Sequence, residues 1–369
     1  MLNIISRSVY QLNPTGPKKV VSNLIAGLKQ AGISFVLNKA PLSTGCTLIH
    51  DDLAALAYVQ ARYKNGEITA KDFLNKKLII GPNIAFDPSE LERTIPGIMT
   101  KEDSVLMHAT LLCPSAWVEA FWIKRGFSTP ISIWPVGVDT VSFDPKHLRS
   151  KLSISIDDIA KDLIVYTKGR DQTDIDEVVS RLTDQGITYT LLKYGTYTEP
   201  ELMHAALTHK LALVIVSSES QGIALEELMS LNLPLLVWNI STVNQKSVLA
   251  QQKNLDNSYT IGGTESATSV PYFDPRCGLV VDDINDIVPA LHNMLHSLEQ
   301  FAPRDYVLEH LSLDGQARVL LSLFDTQKNT DTAQVAHEKH HYKNWRNRTW
   351  LLPWLLCKYI IKYIRWKLN

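Results

Sequence analysis

Short apolar runs rich in Val, Ile and Leu alternate along this chain with stretches of helical apolar spacing, and the alternation runs through two successive series. Parallel strands cannot be joined by a tight hairpin; they need a crossover of about a dozen residues or more, usually a helix. In the first series strands are expected at 1–5, 33–37, 47–49, 77–80, 104–107, 111–113 and 131–134, with a helix over 20–30. In the second, strands at 163–166, 189–192, 211–216 and 234–237 alternate with helices at 174–182, 199–207 and 224–230. Between the series, Gly137, Pro145 and several polar residues interrupt the pattern. The expected fold is therefore α/β, with two Rossmann-like β/α/β lobes facing a cleft, spanning residues 1–145 and 146–325. Each lobe would offer the C-terminal ends of its strands to a ligand. A polar linker over 326–344 and a basic, aromatic tail helix over 345–369 complete the organisation.

Composition narrows the class. With 45% hydrophobic and 20% charged residues the chain is neither disordered nor fibrous. Its four cysteines are scattered, with no C-x-x-C pair or Cys/His cluster, which argues against a zinc site or a disulfide framework and fits a reducing compartment. The N-terminus shows no basic segment followed by a long apolar one, so a cytoplasmic body is expected. A net charge of −1 implies no nucleic-acid partner. Charge is unevenly spread, however: the last 31 residues hold eight Lys/Arg and no Asp or Glu, leaving −9 on the preceding 338 by difference.

That tail also contains four of the eight tryptophans. Lys358, Lys362 and Arg365 fall on one helical face, while Pro353 and Lys358 break the apolar run too early for a span of about 20 residues. Basic residues beside Trp and Tyr mark a helix lying in the lipid interface, which points to an anionic membrane partner and a peripheral place on its cytoplasmic face. A helix packed across the two lobes is the alternative.

The sharpest motif runs from Ser217 to Glu227, after the apolar run at 211–216 and into a helix start. Free backbone N–H groups at such a start suit phosphate oxygens. Gly222 would clear space for a ligand, Glu219 would accept hydrogen bonds from sugar hydroxyls, and Glu227 would hold a ribose diol. Glu226 reads as a solvated neighbour, although the reverse assignment is open. Acidic residues also collect at helix starts simply because the dipole favours them.

In its order of Ser, Glu, Gly, Glu, apolar helix and Pro234, this segment resembles the E-x7-E region of retaining glycosyltransferases of family 4 (the group 1 family), which have the two-lobed GT-B fold. Thr15 to Val20 resembles that family's N-terminal glycine loop, Pro114 to Gly126 its lobe-ending serine and helix, and Pro135 to Thr140 with Phe143 and Pro145 its interlobe signature. The resemblance implies transfer from a nucleotide-diphosphate sugar to a lipid-linked or glycan acceptor, with no metal and no cofactor beyond the donor. It gives Glu219, Lys168 and Arg170 catalytic roles, the two cations offsetting charge on the leaving diphosphate. It places Gly16, Gln221, Gly222, Ile223, Glu227 and Tyr194 around the donor. Asn83 stands at or near a position where the family often has His, and with His50 it is expected to contact acceptor or donor sugar.

Other features carry less. Asp174-Ile-Asp176 matches a metal-binding D-x-D but reads better as the first turn of a helix. Residues 269–273 and 276–278 read as a surface turn or a loop over the donor. Thr198 could simply cap the helix after Tyr194. P-loop, dinucleotide and nucleophile-elbow motifs are absent from the sequence, which disfavours ATPase, oxidoreductase and hydrolase readings. A sugar-nucleotide 2-epimerase, or a silent sugar-nucleotide-binding scaffold, remains the alternative to a transferase.

Overall fold

Leu2–Ile5 buries all four of its side chains, so the first apolar run can only be an interior strand, β1. The structure is a computed structural model that describes residues 1–13, 15–83, 88–100, 103–155, 158–159, 161–243 and 265–324. The expected linker (326–344) and tail helix (345–369) lie outside the described residues.

The chain forms two units, Met1–Val136 with the segment from Gln316, and Gly137–Gly315. In the first, β1 is followed by β2 (Phe35–Leu37), β3 (Cys46–Ile49), β4 (Lys77–Ile80), β5 (Ala109–Cys113) and β6 (Ile131–Ile133). All pair in parallel in the order β2-β1-β3-β4-β5-β6. The intervening helices are α1 (Gly16–Gln30), α2 (Leu53–Lys64), α3 (Asp72–Asn75), α4 (Pro88–Thr94) and α5 (Ala116–Lys124). Helix α1 starts where Thr15 Oγ1 accepts from the Lys18 N–H at 3.2 Å, with Pro17 in the first turn where its missing N–H costs nothing. Asp52 caps α2 in the same way through the Ala55 N–H at 3.0 Å.

The second unit contains β7 (Lys161–Lys168), β8 (Tyr189–Lys193), β9 (His209–Val216), β10 (Leu235–Trp238) and β11 (Gly278–Val281), in the parallel order β11-β10-β9-β7-β8. Its helices are α6 (Pro145–Leu152), α7 (Gln172–Asp184), α8 (Glu199–Thr208), α9 (Ile223–Ser230), α10 (Ile287–His296) and α11 (Pro303–His310); α12 (Leu313–Ser322) follows and leads back to the first unit. Strands β7 and β9 bury apolar residues on both faces, one against α8 and α9, the other against α7 and α10. That explains the unbroken apolar runs at 163–166 in β7 and 211–216 in β9.

Three points differ from the sequence reading. Residues 104–107 are not a strand: Val105–His108 is a 3-10 turn, because Ser104 Oγ accepts from the Leu106 N–H and Gln60 Oε1 from the Val105 N–H, removing both donors from any ladder. The units divide between Val136 and Gly137, whereas the sequence placed the boundary at 145; Val138 and Phe143 are buried in the second unit's core. Strand β11 was missed because it opens on glycine and only one of its four residues is buried.

In each unit the sheet order reverses at its first strand. β1 lies between β2 and β3, and β7 between β8 and β9, so each sheet has a switch point at the C-terminal end of that strand. Among the described residues no helix is long and apolar enough to cross a membrane.

Gly278 has a φ of +140° and its missing Cβ would overlap the Leu235 carbonyl of β10. Gly278→Ala should therefore cost about 2 kcal/mol or more, read as a lower urea midpoint. Gly186→Ala, with a φ of +68° but open space around it, should cost about 1 kcal/mol.

Candidate active site

The loop after β9 is fixed before it reaches its functional residues. Ser217 N–H donates to the Lys168 carbonyl at 2.9 Å, continuing the β7–β9 ladder past the strand. Glu219 N–H donates to the Thr268 carbonyl at 3.0 Å, and the buried Ser269 hydroxyl donates to the Val216 carbonyl at 3.1 Å. The segment around Ser269, read from sequence as a surface turn or a loop over the donor, thus braces the back of this loop.

Gly222 ends the loop as the N-cap of α9 with φ +87°. The backbone itself requires glycine there, independently of any ligand. Ile223 is the first residue of the helix. Glu219 and Glu227 are both buried, at 6% and 5% exposure. Lys168, at the end of β7, reaches both Glu219 carboxylate oxygens, at 2.8 Å and 2.9 Å. Its ammonium also lies 4.6 Å from the centre of the Tyr194 ring, a cation–π contact from the end of β8. The sequence-predicted Glu219, Lys168 and Tyr194 therefore meet at the β7 switch point.

Arg170 does not join them. Gly169, at φ +64°, turns the chain after Lys168, and the Arg170 guanidinium stacks 4.2 Å from the Trp238 ring while Nη2 donates to the Trp238 carbonyl at 3.2 Å. It faces the β10 side of the edge, whereas Lys168 faces β8. Burial lowers its pKa, partly offset by Asp174 and Asp171.

Glu226 reverses the sequence expectation. It is not solvated but 1% exposed, deeper than Glu227. Gln221 Nε2 donates to its Oε2 at 2.9 Å, so this amide, expected around the donor, is engaged by the neighbouring carboxyl. Burial holds Glu226 well above the ordinary carboxylate range, and the neighbouring Glu227 and Glu219 add to the effect against the Gln221 bond. Helix α9 turns it inward because residues 225–230 are all buried.

Two tyrosines that sequence reasoning passed over complete the edge. Tyr197 Oη donates to the buried Tyr166 Oη at 3.1 Å. Burial pushes the Tyr197 phenol up to about 12, against the bond to Tyr166 and with the nearby Glu227 and Glu219 adding to the effect. The signal available was the aromatic pair Tyr194 and Tyr197 flanking a glycine after a strand.

In the first unit, His50 and Asn83 also come together. His50 Nε2 lies 3.0 Å from Asn83 Oδ1, and its Nδ1 lies 3.0 Å from Ser6 Oγ. Arg7 grips Asp51 with Nη2 at 3.0 Å from Oδ1 and Nε at 3.3 Å from Oδ2. All of these follow β1, β3 or β4 directly, at that sheet's switch point. Gly16 is the first residue of α1, and no atom lies within 4 Å of where its Cβ would be.

No protein-family model matches this sequence, and no curated protein matches it. Solved structures do match. Sucrose-phosphate synthase from Thermosynechococcus elongatus aligns with a TM-score of 0.50 at 12% identity, over 88% of this chain and 98% of that one. The lipopolysaccharide outer core galactosyltransferase WaaB, in its apo form, aligns with a TM-score of 0.50 at 12% identity, over 87% of this chain and 99% of that one. HepE of Anabaena in complex with UDP aligns with a TM-score of 0.50 at 8% identity, over 87% and 98%. The chain has the GT-B fold. Its two parallel sheets, each with a polar cluster at the switch point, are the features this fold accounts for.

The state of Glu226 can be checked through stability. A carboxyl whose folded pKa is raised stabilises below its unfolded value, about 4.5, and loses that contribution as pH rises through the folded value. Glu226→Gln keeps the acceptor for Gln221 but cannot ionise. Its urea midpoint should exceed that of the natural chain by a margin that opens above pH 4.5 and then levels off. A margin independent of pH would contradict the protonated state.

Proposed function

We propose that this protein transfers a sugar from a nucleoside-diphosphate donor to a lipid-linked or polysaccharide acceptor, with retention and without a metal ion. The observation that carries this reading is the bidentate Lys168–Glu219 pair at the β7 switch point, one helix start away from Glu227. The shared fold supports it. So do the names of the similar proteins, which include a galactosyltransferase and a protein bound to UDP.

The chemistry assigns each residue a task. Departure of the diphosphate develops negative charge, and Lys168 is a cation placed to offset it without a metal. When the diphosphate takes the ammonium, the Glu219 carboxylate becomes available to accept hydrogen bonds from sugar hydroxyls. Glu227, with two oxygens, suits the ribose diol. Gln221 supports the loop through Glu226, and Arg170 contributes positive charge from the β10 side. In the transfer the bond between the anomeric carbon and the β-phosphate oxygen breaks, its electron pair leaving with the diphosphate. The acceptor oxygen bonds to the same face of that carbon, and its proton passes to the departing diphosphate oxygen.

Glu219→Gln should lower kcat/KM for transfer about 100-fold or more, since it removes an interaction aimed at the reacting sugar. Unchanged turnover would refute the assignment. A matching nucleotide sugar should raise the melting temperature of the natural chain, a stabilisation of about 2.7 kcal/mol at a hundred times Kd.

The basic, tryptophan-rich tail supports a peripheral place on the cytoplasmic face of a membrane, next to a lipid-linked acceptor. Full-length protein should float with vesicles containing anionic lipid, and a chain ending at Asp325 should not. Equal flotation of the two would remove the tail from the argument.

A further inference from the structure

The polar cluster in the first unit has a direction, and a buried hydroxyl sets it. Ser6 is fully buried. Its Oγ accepts the Ser8 N–H at 3.1 Å, and the only other polar contact of that oxygen among the described residues is His50 Nδ1, at 3.0 Å. A buried hydroxyl hydrogen must go to an acceptor. His50 Nδ1 is the acceptor in reach, so it carries no proton, and the neutral ring holds its hydrogen on Nε2. That hydrogen points at Asn83 Oδ1, 3.0 Å away. The Asn83 amide is thereby oriented with its oxygen toward the imidazole and its NH2 group on the opposite side.

From this chain of bonds we infer that His50 is a positioning residue: Ser6 and His50 together fix the Asn83 side chain so that the first unit meets its ligand with an amide NH2, a donor to a ligand oxygen. The inference rests on the transferase reading above for the identity of that ligand, a sugar or its acceptor. It changes what the site does there. A histidine facing the ligand could exchange protons; here the histidine is one step back and the ligand meets a group that cannot titrate.

The surroundings are compatible with a neutral ring. His50 is fully buried, its backbone N–H donating to the Ile5 carbonyl at 2.8 Å. Burial lowers its pKa, while Asn83 and Asp51 raise it and Arg7 lowers it further. Asp51 and Arg7, the charged groups facing it from the ends of β3 and β1, largely satisfy one another as an ion pair.

The direct test is the tautomer. Nitrogen-15 NMR of the full-length chain labelled at histidine should show His50 as the Nε2–H form, unchanged between about pH 5.5 and 8, whereas an ordinary histidine titrates near 6.5. Ser6→Ala should release the tautomer, and Ser6→Thr should retain it. In transfer assays, Asn83→Asp keeps the oxygen that accepts from His50 but replaces the NH2, and should lower kcat/KM by about tenfold or more, the worth of one hydrogen bond or more. An Nδ1–H tautomer, protonation near pH 6.5, or a tautomer indifferent to Ser6→Ala would overturn the inference. So would full activity in Asn83→Asp. If Ser6→Ala does not fold, the spectrum of the natural chain decides alone. If no nucleotide sugar supports transfer while the Nε2–H form is found, the transferase reading fails and the proton arrangement stands.

Discussion

Strand β7 pairs with β9 along nearly its whole length, from Lys161 opposite His209 to Lys168 opposite Val216, and with β8 on its other side. Both neighbours are parallel, so all three strands end at the same edge, and the loops leaving that edge diverge because β8 and β9 are reached in opposite directions. Lys168, Tyr194 and Ser217–Glu219 are brought together by this register. Their sequence separations are large, yet each is within a few residues of a strand end. A slip of one residue in β7 would turn Lys168 to the opposite face of the sheet. The Lys168–Glu219 pair therefore depends on apolar packing of β7 and β9 against helices on both faces, where Leu163, Val165, Leu213 and Ile215 are fully buried.

The same edge shows how buried polarity is managed. Glu219 is neutralised by an ammonium that touches both its oxygens, which offsets the cost of removing a carboxylate from water. Glu226, one turn into α9, has an amide rather than a cation as partner and is held toward its protonated form. Two carboxyls seven residues apart are thus met by different partners, an ammonium for Glu219 and an amide for Glu226. The first unit repeats the theme with neutral groups, where a serine hydroxyl, an imidazole and an amide share hydrogens in one direction.

Much of this was legible from residue order. The apolar runs at 1–5, 77–80, 163–166, 189–192, 211–216 and 234–237 each fold as strands, since a run of that length with β-branched residues has few other ways to bury itself. The Ser217–Glu227 segment was identifiable as a strand-to-helix loop with carboxylates and a glycine. The run at 104–107 was misread because a short apolar stretch fits a strand or a buried turn equally well, and the side chains of Ser104 and Gln60 decided between them. Strand β11 could not be read from a glycine and half-exposed residues.

The sequence by itself determined the class of fold and which residues stand near the strand ends, because periodicity and turn residues are local properties of the chain. It could not determine which of those side chains face each other. That Lys168 bonds Glu219 while Arg170 stacks on Trp238, that Glu226 is the buried carboxyl, and that His50 sits behind Asn83 are decisions of the tertiary structure. Each turns on burial and on the direction of a side chain at the sheet edge. Those depend on strand register and on helices contributed by distant parts of the chain, information that no local pattern of residues contains.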